Sequence, residues 1–111
     1  MIQIITTSIR KVQENKTVLL LLFEDDGVSR EQYTYLEDKV ADFKSCISPK
    51  YLLNFKIHYD RCSGNILLEI KLTIPNPLMP ENFKKDSTFT RDLINKFKKF
   101  YETQNENIPY F

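Results

Sequence analysis

A single histidine, two glycines and two cysteines leave this 111-residue chain short of the residues on which most small-molecule chemistry depends. A loop that cradles phosphate needs several glycines, so that backbone amides can approach the anion. With Gly27 and Gly64 alone, nucleotide-binding motifs of the P-loop and Rossmann kinds are excluded. Cys46 and Cys62 have no metal-ligand spacing. Cys46 is expected to end a helix and Cys62 to lie at the far tip of the following strand. About ten strand residues at roughly 3.3 Å each then hold the two thiols apart, free and in a reducing compartment. The lone histidine, His58, falls on the solvent side of that strand, near Lys56 and Glu69. No Ser-His-Asp or Cys-His set assembles around it. Neither catalysis nor a cofactor is expected.

Charge of one sign is also missing. Sixteen basic residues stand against 15 acidic ones, whereas a nucleic-acid-binding domain is usually strongly basic. No apolar run approaches the about 18 to 20 residues that a membrane-spanning helix requires. Met1 to Val12 has no continuous apolar stretch behind a basic flank, so no secretory signal is expected. The expected location is intracellular, cytoplasmic or nuclear. Tryptophan is absent, yet eight phenylalanines, six tyrosines and a 41% hydrophobic composition are too much apolar matter for a disordered chain. Residues 1–105 are expected to form one domain, with 106–111 as an apolar-ended tail.

Met1 to Val12 carries Ile2, Ile4, Ile5 and Ile9 among threonines and reads as a strand. "QENK" turns the chain, and "TVLLLLFEDDG" follows as its hairpin partner. "SREQ", Ser29 to Gln32, is a capping box. Behind it Tyr33, Leu36, Val40, Phe43 and Ile47 recur at spacings of three and four, which predicts a helix over about 30–47. Its outer face carries Glu31, Glu37, Asp38 and Asp42. After Pro49, Tyr51, Leu53, Phe55, Ile57 and Tyr59 alternate with Leu52, Asn54, Lys56, His58 and Asp60. "RCSGN" turns the chain, and Ile66, Leu68, Ile70, Leu72 and Ile74 alternate with Leu67, Glu69, Lys71 and Thr73. This is a hairpin with one buried and one largely polar face. "PNPLMP" cannot be helix interior or central strand. Ser87 or Thr88 then caps a last helix to about Gln104, with Phe89, Leu93, Ile94, Phe97, Phe100 and Tyr101 on one arc. The order is ββαββα: an α+β two-layer domain, its four-stranded antiparallel sheet bearing both helices on one face.

The second strand does not fit that scheme completely. It is apolar on both sides: Leu19, Leu21 and Phe23 point one way, Val18, Leu20 and Leu22 the other. Two helices cover one face, and three such side chains left in water forfeit roughly 1.5–3 kcal/mol each. The tail from Ile108 to Phe111, a curl of the sheet or a second chain are the available covers. The second chain is favoured, because the Pro-rich connection and the tail add apolar surface of their own. The expected partner surface comprises Val18, Leu20, Leu22, Leu67, Leu78, Met79, Tyr110 and Phe111.

Two other readings compete. Glu24, Asp25 and Asp26 form a run of carboxylates, but without the alternate spacing and central glycine of a calcium loop, so a solvated turn is the expectation. An enzyme would have to run on those carboxylates alone. "KFKKFY" interleaves bases and rings, and Lys84, Lys85, Arg91, Lys96, Lys98 and Lys99 would form the phosphate-contacting face of a nucleic-acid-binding helix. The favoured expectation is a non-catalytic protein–protein interaction module: a subunit, adaptor or inhibitor in a larger assembly, with homodimerisation as one form and no small-molecule substrate.

Overall fold

Alternating and periodic segments of the sequence become four strands and two helices in the computed structural model, which describes residues 2–13, 15–79 and 83–106, the side chains of 12 and 13 excepted. The strands are β1 (Ile2–Gln13), β2 (Lys16–Asp25), β3 (Leu52–Asp60) and β4 (Asn65–Pro75); the helices are α1 (Arg30–Lys39) and α2 (Thr88–Glu106). All strand pairings are antiparallel, in the order β1-β2-β4-β3. The two hairpins therefore join through β2 and β4, and these inner strands hold most of the buried residues of the sheet. The expected α+β architecture, with element order ββαββα, is what the chain adopts.

One face of the sheet holds the core. Leu19, Leu21 and Phe23 of β2 lie across from Leu72, Ile70 and Leu68 of β4, and all six are fully buried. The helical layer closes over them through an aromatic cluster centred on Phe97 of α2. Its ring lies 4.9 Å from Phe23 and 5.1 Å from Phe43, and Phe43 in turn meets Phe100 at 5.3 Å. Tilted and edge-on ring pairs of this kind add to the stabilisation from area burial alone.

The first helix differs from its expected span. The capping box forms as read: Ser29 Oγ accepts from the Gln32 amide at 3.2 Å, and Gln32 Oε1 accepts from the Ser29 amide at 2.9 Å. Beyond Lys39, however, the chain tightens into a 3-10 helix over Val40–Cys46 and is extended at Ile47. Three residues per turn place Val40 and Phe43 one above the other, both buried, while Ala41, Asp42, Lys44 and Ser45 stay in water. A spacing of three is compatible with either helix type, so the stripe did not distinguish them. Ser48 precedes Pro49 and is thereby disfavoured from helical geometry, which ends the segment.

Two polar contacts fix how the layers meet. Val28 N–H donates to Gly64 O at 2.7 Å, and the Tyr59 hydroxyl donates to Val28 O at 3.1 Å. These tie the loop after β2 to the β3–β4 turn, where Gly64 adopts a positive φ of 72°. At the same end of the sheet the buried Tyr101 hydroxyl donates to Asp25 Oδ2 at 2.6 Å, linking α2 to the end of β2. Burial, reinforced by the neighbouring carboxylate, pushes the Tyr101 phenol well above its ordinary range.

Removing that hydroxyl by Tyr101→Phe should cost about 1–3 kcal/mol at neutral pH, read by urea denaturation, because Asp25 is left buried without this donor. A phenol whose folded pKa is raised contributes stability below its unfolded value of 10.0 and loses it progressively as the pH climbs above that value. The gap between wild type and variant should therefore narrow above about pH 10.

Candidate interaction surfaces

Strand register sets the composition of the face opposite the helices. Reading across β1, β2, β4 and β3, its rows are Arg10–Val18–Thr73–Leu52, Ser8–Leu20–Lys71–Asn54, Thr6–Leu22–Glu69–Lys56 and Gln3–Glu24–Leu67–His58. The parity expected for β2 is therefore present: one set of its apolar residues faces the helices and the other faces away. Leu20 and Leu22 are half-buried, flanked by the long side chains of Lys71 and Glu69, whose methylene stems cover part of them. Leu67 is 37% exposed.

Several expected members of the partner surface lie elsewhere. Val18 is on this face but only 2% exposed. A valine is short, and it sits between Arg10 and Thr73 on the two adjoining strands, which close over it. Met79 packs against the main core rather than standing out from it, and Leu78 is half-buried in the short 3-10 turn Asn76–Leu78. That turn is held back by the bond from Asn76 N–H to Asn15 O, 2.8 Å, which draws the Pro-rich connection onto the β1–β2 turn. Tyr110 and Phe111 lie outside the described residues, as do 107–109, while Glu106, expected to open the tail, is the last residue of α2.

Two exposed apolar residues were absent from the expected surface. Leu52 is 60% exposed and Ile5 47%. Leu52 is outward in the alternation of β3, and that alternation was the signal available for it. Ile5 is the extra residue of a register shift between Ile4 and Thr6, and sequence offers no sign of a bulge there.

The carboxylate run does not converge on one point. Asp25 is buried beneath Tyr101, Asp26 is exposed, and Glu24 faces the open side opposite Leu67. Its expected reading as a wholly solvated turn fails at Asp25, because strand alternation carries that residue to the core face. No cluster of three or more metal-ligating side chains occurs among the described residues.

On α2 the rings turn inward. Phe97 and Tyr101 are fully buried and Phe100 and Phe89 are packed against the core, so none of them is free to stack on a base. Lys84, Lys85, Arg91 and Lys99 are exposed and Lys98 is half-buried. Lys96 is already committed: its Nζ donates to Cys46 O at 3.1 Å, closing the carboxyl end of the 3-10 helix. Both cysteines are exposed free thiols. No helix among the described residues is long and apolar enough to cross a membrane.

A groove of about 530 Å³ lies between α1 and the end of β3, lined by Arg30, Tyr33, Thr34 and Glu37 on one side and His58, Tyr59 and Arg61 on the other. The Tyr33 and Tyr59 rings meet edge-on at 5.1 Å, and the Tyr33 hydroxyl donates to the Glu37 carboxylate. That bond is the main cause of an upward shift of the Tyr33 phenol. Asp60, nearby, is held in the turn by the Cys62 amide and the Ser63 hydroxyl, each at 2.9 Å, and these donors pull its carboxyl below the usual range.

No family model matches this chain, and no curated protein or solved structure matches it either. What it does must be read from these surfaces alone.

The two sides of the sheet should answer differently to truncation. Leu21→Ala, on the helix-covered face, should lose about 2–5 kcal/mol of unfolding free energy. Leu67→Ala and Leu52→Ala, on the open face, should stay within about 0.5 kcal/mol of wild type in the same urea titration.

Proposed function

We propose that this chain is a non-catalytic protein–protein interaction module whose contact surface is the open face of its sheet. The observation that carries the reading is the composition of β2, an inner strand with apolar side chains on both faces and helices packed on one. Leu20 and Leu22 on the uncovered side are half-buried, Leu67 stands beside that strand, and Leu52 extends the apolar area toward the β3 edge. Apolar groups in such a setting gain about 25 cal/mol for each Å² that a partner removes from water. They give a face suited to contact and supply no group that would do chemistry.

A nucleic-acid role for α2 finds less support. Its cations are interspersed with Asp86, Asp92 and Glu102, its rings are inside, and Lys96 serves the fold. Salt separates the two readings, since phosphate contacts weaken steeply with ionic strength and an apolar interface responds little.

Light scattering after size exclusion, on wild type and on Leu20→Lys, tests the proposal. A wild-type dimer that the substitution converts to monomer supports a second copy as the partner. A monomer that binds a hydrophobic dye, with the dye signal reduced in Leu20→Lys, supports a different partner chain. A monomer without dye binding, unchanged by the substitution, overturns the reading.

A further inference from the structure

An open sheet ends in two edges, and the two edges of this one are unlike. β1 carries register shifts between Ile4 and Thr6 and between Lys11 and Gln13, irregularities of the kind that twist an edge and spoil it as a template. β3 carries none: Leu52 to Asp60 pairs residue for residue with Thr73 to Asn65. It contains no proline. Among the described residues, the backbone of Leu52–Tyr59 makes no hydrogen bond outside that pairing. Its outer row of amides and carbonyls is therefore unused.

One groove lies beside this edge. His58 and Tyr59 point to opposite faces of the sheet, so a groove that touches both must lie along the free side of β3. A second groove of about 290 Å³, lined by Asn54, Phe55 and Lys56 together with Glu69 and Lys71, lies over β3 and β4 on the open face. Charge along the edge is biased. Arg30 and Arg61 line the first groove against one carboxylate, Glu37, and Lys56 stands on the outward row of β3. Glu37 is engaged by Tyr33, and neither Arg30 nor Arg61 has an ion-pair partner among the described residues.

We propose that the β3 edge takes an acidic, extended peptide segment of a partner protein as a fifth strand, with its carboxylates beside Arg30, Arg61 and Lys56. Main-chain hydrogen bonds would hold the segment, and alternate side chains would meet the cations on either side. A second copy of this chain is the poorer occupant. Antiparallel self-pairing of β3 sets Lys56 against its own copy, Asn54 or His58 in the registers centred on residues 55–57, so no carboxylate meets it, and like charges directly opposite are destabilising. An acidic strand removes that conflict. The inference rests on the reading of the chain as an interaction module, but it uses the main-chain edge of β3 rather than the apolar side chains of β2, and the two can fail independently.

Fluorescence anisotropy tests it with a labelled synthetic peptide of about ten residues alternating glutamate and valine. The expected result is saturable binding that a lysine–valine peptide does not show. Binding should fall about tenfold in the Arg30→Glu/Arg61→Glu variant and be lost when alternate amides of the peptide are N-methylated, which blocks strand pairing while keeping every charge. Leu20→Lys should bind the peptide as wild type does, whatever it does to self-association. Absence of saturable binding overturns the proposal, and so does equal binding of the N-methylated peptide to the wild-type protein. The methylated probe leaves the protein untouched, so that arm holds even if the charge-reversed variant folds poorly.

Discussion

A four-stranded sheet presents two faces, and this chain supplies helices enough for one. That constraint organises the rest of the molecule. Side chains alternate along a strand, so the helical layer can enclose Leu19, Leu21 and Phe23 only by leaving Val18, Leu20 and Leu22 on the far side. Because β2 is an inner strand, its far-side residues have neighbours on both flanks, and those neighbours decide how wet each one is. Arg10 and Thr73 close over the short Val18, whereas Leu20 and Leu22 rise between a threonine or serine on one flank and a charged side chain on the other. Burial on this face is thus graded by side-chain length and by the residue beside it rather than set by a second layer.

The helix-covered side shows the opposite economy. A polar atom there must be partnered, since an unsatisfied group costs about as much as several buried methylenes contribute. Asp25 reaches the core because alternation takes it there, and it is tolerated because Tyr101 reaches down from α2 to meet it. The same contact ties the carboxyl half of α2 to the end of β2. At the amino end Thr90, also fully buried, donates to Lys84 O at 2.7 Å, while Ser87 caps the first turn and donates to the same carbonyl at 2.9 Å. Helix α2 is therefore pinned by polar contacts at both ends and by rings in the middle.

Local pattern carried most of this into the sequence. Alternation located the second hairpin, the polar QENK turn before a continuous apolar run located the first, the capping box located the start of α1, and the arc of rings on α2 gave its inner face. What stayed illegible depends on relations between distant elements. The 3-10 continuation of α1 shares its three-residue spacing with an α-helix. The fate of Met79 depends on the bond between Asn76 and Asn15, which no local pattern announces. Asp25 resembles its neighbours Glu24 and Asp26 in composition and differs from them only in parity and in lying under Tyr101. The bulge at Ile5 leaves no compositional trace, as neither glycine nor proline marks it. Each of these turns on a pairing made over tens of residues, where a single sequence states the participants and not the partner.

The strand order has a consequence for where contact surfaces of different kinds can arise. Placing β2 and β4 inside puts Leu20, Leu22 and Leu67 toward the centre of the open face and leaves β1 and β3 as edges. An apolar centre binds by area and is tolerant of orientation; a strand edge binds through a ladder of directed hydrogen bonds and fixes both direction and register. The bulged β1 has given up that second capacity, while β3 retains it over nine residues with cations at its flanks. Lysine on an edge is a usual guard against pairing with copies of the same chain. Lys56 is such a guard, and the charge that repels a like strand is the same charge that favours an unlike one.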